Sequence, residues 1–98
     1  MQNEREIVAR AARGDADAFR RLVADHQRLV AHVVFRMVPD PGDREDLCQD
    51  VFIRVYQKLR TFRFESKLST WIVRVAYRVY LNHLAKKRME TTMDLAER

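Results

Sequence analysis

Residues 43–59 read DREDLCQDVFIRVYQKL, and their spacing is that of an amphipathic helix. Leu47, Val51, Val55 and Leu59 recur every fourth residue, with Phe52 and Tyr56 beside them, so an α-helix gathers them into one apolar stripe. Glu45, Asp46, Gln49, Asp50, Arg54 and Gln57 fall on the opposite face. Asp43 is the expected N-cap, with Asp46 three residues later. Such a helix has one face to bury, and the rest of the chain must supply the partners.

Working upstream, Pro39, Pro41 and Gly42 interrupt the pattern and end a longer helix. That helix starts after Asp15, a natural N-cap, and runs through about Val38. Ala18, Phe19, Leu22, Val23, Leu29, Val30, Val33, Val34 and Met37 mark its 3.6-residue period. A first helix is expected over Glu4 to Arg13, with Ile7, Val8, Ala11 and Ala12 as its stripe and Gly14 as its stop. Downstream, a break at Thr61 to Lys67 holds Phe62 and Phe64 alternating with Arg63 and Glu65. A fourth helix, capped by Ser66 or Ser69, is expected to run to about Arg88. Trp71, Ile72, Val75, Ala76, Val79, Leu81 and Leu84 supply its apolar positions. After Arg88 the period is lost, and residues 89–98 read as the start of a linker. The expectation is an all-α, compact bundle of about four helices, with one domain over 1–88.

Composition narrows the function. One cysteine, Cys48, excludes a disulfide framework and suits a reducing cytoplasm. No apolar run is long enough to span a membrane, and the first residues are not those of a signal peptide. His26 and His32 are six apart and face different sides of one helix, while His83 stands on another. None has the i, i+4 partner of a helical zinc site. With two glycines in the whole chain, no phosphate-binding loop is present. No catalytic residue, metal or cofactor is expected.

Charge distribution points to a polyanion. Residues 1–50 carry eight basic and ten acidic side chains, residues 51–88 carry ten basic groups and only Glu65, and residues 89–98 return to a balance of −2. The basic half interleaves cations with aromatics: Arg60, Phe62, Arg63, Phe64, Lys67, Trp71, Arg74, Tyr77, Arg78, Tyr80. Proteins that hold single strands need both, cations for phosphates and aromatic walls for unstacked bases. Trp71 sits on the apolar stripe and is expected in the core. Phe62 and Phe64, placed in a loop, are not both expected there. The acidic pair Asp46 and Asp50, one helical turn apart around Gln49, reads either as a solvated face with an Asp50–Arg54 pair or as a docking strip.

Taken together, these motifs resemble region 2 of a bacterial sigma factor of the extracytoplasmic-function (ECF) group of the sigma-70 family. Gly14 to Leu22 is similar to the group's helix-start motif. Glu45-Asp46-Leu47-Cys48-Gln49-Asp50-Val51-Phe52 is similar to its "EDLVQEVF" signature. Thr61-Phe62-Arg63 followed by Ser69 to Ala76 is similar to "FR…TWLxRIA". The resemblance implies docking of the signature helix on the clamp-helix coiled coil of the RNA polymerase β′ subunit, through Asp46, Gln49, Asp50, Phe52 and Arg54. It implies recognition of the promoter −10 element, chiefly its non-template strand, by the later loop and helix. A flipped base would enter the loop of Phe62, Arg63, Phe64, Glu65, Ser66 and Lys67, entered by Arg60. Trp71, Arg74, Arg78 and Asn82 would stand behind it, and Lys86, Lys87 and Arg88 would meet phosphates at the edge.

Three positions depart from the group's pattern. Phe64 stands where Gly is frequent, Arg78 where Asn is common, and Asp50 where Glu is common. The first two bear on which bases are preferred, because an Arg on phosphate and an Asn on a base edge are different devices. The resemblance also implies an anti-sigma factor as partner, and a monomer in the bacterial cytoplasm without membrane contact. Sigma factors of this group carry a second helical domain that reads the −35 element. No segment of these 98 residues has that pattern, so the expectation is an isolated domain or a short form that binds duplex DNA weakly. A different outcome is a sigma-like module that binds polymerase or an anti-sigma factor without reading DNA.

Overall fold

The computed structural model describes residues 3–97. Four helices follow in order: α1 (Glu4–Ala12), α2 (Ala16–Met37), α3 (Pro41–Lys58) and α4 (Leu68–Glu97), with one 3-10 turn over Leu59–Thr61. The fold is all-α among the described residues, as the periodicity predicts.

Local chemistry sets most boundaries. Asn3 caps α1 by accepting from the Glu6 amide at 2.9 Å. Gly14 adopts φ +97°, a left-handed conformation that glycine takes without steric cost, and turns the chain back. Asp15 then caps α2, its Oδ1 accepting from the Asp17 and Ala18 amides at 3.0 and 3.2 Å. The same carboxylate receives Arg10 Nε at 2.8 Å, so one residue caps α2 and ties it to α1. The Arg10 bond, then the Ala18 amide, hold the Asp15 carboxyl below its usual range.

Two caps differ from expectation. α3 is capped by Asp40, which accepts from the Gly42 amide at 2.9 Å, not by Asp43. Pro41 explains this: its fixed φ and missing N–H suit the first helical position, so the helix starts three residues early. α4 receives no cap from Ser66 or Ser69. Ser66 Oγ donates to the Lys67 carbonyl at 3.2 Å, and Ser69 already lies inside the helix.

α2 is the central helix, packing against α1, α3 and α4, while α3 also packs against α4. Leu47, Val51, Val55 and Leu59 are each at most 1% exposed, so the stripe that opens the sequence is the middle of the core. Leu22, Val30, Val34, Leu68 and Ile72 complete it. Truncating one of these leucines, or Ile72, to Ala costs about 2–5 kcal/mol. His26 is also buried, its Nδ1 2.8 Å from the Leu22 carbonyl. Because a carbonyl only accepts, Nδ1 carries the proton.

The fourth helix continues to Glu97, beyond the expected end at Arg88. From Ala85 onward every described side chain is exposed, and the long axis of the molecule reaches 59 Å. Loss of apolar period marks the end of burial, not of helix. Residues 85–97 contain neither Gly nor Pro, and nothing in them stops the backbone. Leu81, expected as an apolar contact, is also largely exposed.

Candidate nucleic-acid interface

The loop between the 3-10 turn and α4 is built on aromatics. Phe62 is buried, with its ring 5.3 Å from Trp71 and 4.6 Å from Phe64. Phe64 is half-buried against the core and lies under the Arg5 guanidinium at 4.4 Å. This corrects the expectation that the two rings would not both join the core. The loop is short enough that Phe62 turns inward as the last buried residue before α4. Phe64 itself has φ +59°, the left-handed region that costs a non-glycine residue about 1–3 kcal/mol. The Phe62 ring and the Arg5 cation each offset part of that, about 0.5–1.5 and 0.5–1 kcal/mol. Arg60, Arg63, Glu65 and Lys67 remain exposed around this floor, and Ser66 is half-buried.

Trp71 is only half-buried. Its outer side lines a cleft of about 460 Å³ between α3 and α4. Arg54, Lys58 and Thr61 contribute from the α3 side, and Arg74, Val75, Arg78 and Asn82 from α4. Four of these residues are cationic and none is a carboxylate, so the cleft focuses positive potential on an aromatic wall. Arg74, Arg78 and Asn82 also border a second groove, of about 720 Å³, with Val33, Val73, Tyr77 and Leu81. They form a ridge with concave surface on both sides.

Lys58 and Thr61 escaped sequence reasoning, as did the position of Arg54. The available signal was the i, i+4 spacing of Arg54 and Lys58, which puts two cations on one side of α3. Lys87 is less free than expected: its Nζ donates to Asp43 at the start of α3, where His83 Nε2 also lies 3.8 Å away. The contact raises the Lys87 pKa and lowers that of Asp43. Lys86 and Arg88 are exposed.

Asp46, Gln49 and Asp50 are exposed on α3. Beside them lies an apolar groove of about 830 Å³ between α2 and α3. Phe19, Val23 and Phe35 of α2 face Cys48, Phe52, Ile53 and Tyr56 of α3 across it, with Glu45 and Gln49 at its edge. Phe35, Ile53 and Tyr56 are each at least half exposed, which is unusual for side chains so large. Phe19 and Tyr56 meet edge-on at 5.1 Å. Burial, then Glu45, pushes the Cys48 thiol up, and the side chain packs against the core. The acidic strip was legible in sequence. The groove was not, because Phe35 and Ile53 lie off the core stripes.

Comparisons with known proteins identify the family. Residues 22–90 match the family model for sigma-70 region 2. The chain is 40% identical over 90 residues to the ECF RNA polymerase sigma-E factor of Escherichia coli, covering 91% of this chain and 47% of that one. It is 34% identical over 87 residues to the RNA polymerase sigma-H factor of Pseudomonas aeruginosa, covering 89% and 45%. The chain thus spans about half the length of these relatives. Among solved structures it is similar to an NMR structure of an engineered region 2 of sigmaE in complex with GTAAAA. That match has a TM-score of 0.81 at 36% identity, covering 91% of this chain and 93% of that one. The chain belongs to the sigma-70 region 2 family.

Proposed function

We propose that this chain is the −10 recognition and melting domain of an ECF sigma factor, which holds the non-template strand and docks on RNA polymerase to direct initiation. The observation that carries this is the cleft around Trp71, with four cations, no carboxylate and an aromatic wall. The similar sigmaE region 2, which binds GTAAAA, supports it. In this reading Arg54, Lys58, Arg74 and Arg78 neutralise phosphates, and Trp71 offers an apolar face to a base. The loop from Phe62 to Lys67 reads the flipped base, and Arg60, Asn82, Lys86 and Arg88 extend the track. Lys87 joins it only by leaving Asp43. The domain occupies 1–88, and 89–98 begin the connection onward.

Polymerase docking falls to Asp46, Gln49, Asp50 and Phe52, with Arg54 at the border of both surfaces. The β′ clamp helices are the partner, and the apolar groove beside the strip adds the burial that a lasting contact needs. The protein acts in the cytoplasm as a monomer, by binding rather than by catalysis, under control of an anti-sigma factor.

The groove also favours a second reading, a sigma-like module that binds protein and ignores DNA. Titration of a labelled GTAAAA strand at two salt concentrations separates them. The first reading expects binding that weakens steeply with salt. Absence of binding at both concentrations supports the second.

A further inference from the structure

α1 touches the proposed base-reading loop at one place and the 3-10 turn that leads into it at another. Arg60 Nε donates to the Ala12 carbonyl at 3.2 Å, one of the carbonyls left open at the end of α1. At its other end, the Arg5 guanidinium covers Phe64 at 4.4 Å. Behind Phe64 stand Phe62 at 4.6 Å and, beyond it, Trp71 at 5.3 Å. Arg5, Phe64, Phe62 and Trp71 therefore form one column, from α1 through the loop to the wall of the basic cleft. The weakest member is Phe64, whose φ of +59° persists only if its surroundings hold it.

We propose that Arg5 is a positioning residue for base reading. By seating the Phe64 ring it sets the loop shape that distinguishes one base from another. This rests on the −10 reading above and adds a specificity determinant on α1, a helix with no part in the expected site. Arg5 spends its charge on a ring face, so it shapes the loop without contacting phosphate. An exposed cation–π contact corresponds to about a two- to fivefold effect.

The test titrates the 98-residue chain with labelled GTAAAA and with each single-base variant of that strand, alongside circular-dichroism melts. Arg5→Ala is expected to lower the ratio of matched to mismatched affinity by about two- to fivefold while leaving the salt slope unchanged. Arg5→Lys keeps most of the discrimination, because an ammonium also binds a ring face. Phe64→Leu reproduces the loss, and the double variant Arg5→Ala with Phe64→Leu adds nothing further. Full discrimination in Arg5→Ala overturns the inference and leaves the −10 reading standing. A loss equal on all strands, with a slope shallower by about 0.7, overturns it too, because Arg5 is then a phosphate ligand. If the unsubstituted chain binds all strands alike, the −10 reading fails and this inference with it.

Discussion

The cleft between α3 and α4 and the groove between α2 and α3 share a helix and differ in nearly everything else. The cleft has four cations around one half-buried indole. The groove has exposed Phe35, Ile53 and Tyr56 with the Glu45 carboxylate at its edge. Such different surfaces report to different forces. Charge on a cleft is screened by salt and suits a partner that must arrive fast and be released. Apolar area is insensitive to salt and suits a partner held for longer. α3 can serve both because three faces of one helix are used: Leu47, Val51 and Val55 inward, Cys48 and Phe52 toward α2, Arg54 and Lys58 toward α4.

That contrast can be broken from either side. The largest effect is expected from Asp46→Arg with Ile53→Asp, which should weaken polymerase binding by about a thousandfold, since two central contacts at about 2 kcal/mol each are lost. Single-strand binding should persist. A pull-down that still retains polymerase would show that the groove and strip are not the docking surface. A smaller effect is expected from Arg74→Ala with Arg78→Ala. With four phosphate contacts the log–log salt slope on single strands is about −2.8, and removing two should bring it to about −1.4 with affinity down about tenfold at low salt. An unchanged slope would take both residues off the phosphate track.

The smallest effect concerns the clip between Asp43 and Lys87, which ties the start of α3 to α4. The folded Asp43 pKa lies below its usual 3.8, so its contribution is present above that pH and is lost as pH falls through the lower, folded value. The folded Lys87 pKa lies above its usual 10.5, so its part is complete below that pH and is lost as pH rises through the higher, folded value. Lys87 is half exposed and Asp43 about a quarter exposed, so solvent screens much of the pair; Asp43→Asn should lower the melting temperature only slightly between those limits, and added salt should shrink the difference. A melting temperature equal to that of the unsubstituted chain at low salt and neutral pH would show that the clip contributes nothing.

Much of the molecule was legible beforehand, and the failures share a cause. The stripe Leu47, Val51, Val55 and Leu59 lies in the core as read, because a 3.6-residue period is a direct consequence of burying one helix face. Asp15 and Gly14 mark the α1–α2 corner as read, because capping and left-handed geometry are local. Asp43 lost its expected cap to Asp40 because Pro41 competes for the first helical position, also a local effect and one open to sequence reasoning. The end of α4 was misplaced because period reports on partners, and a helix continues without them. Phe62 was misplaced because loop residues lack a period altogether.

The amino-acid sequence by itself determined four helices, the core stripes, the basic half and the acidic strip, since spacing, capping and charge are properties of neighbours along the chain. Only the tertiary structure decided that Arg54 and Lys58 share a cleft with Arg74 and Arg78, that Phe35 and Ile53 line a groove, and that Arg5 covers Phe64. These contacts join different helices, and their geometry depends on how the helices are rotated and crossed when the core closes. Helix rotation is set by all the buried side chains at once, so no local stretch of sequence contains it.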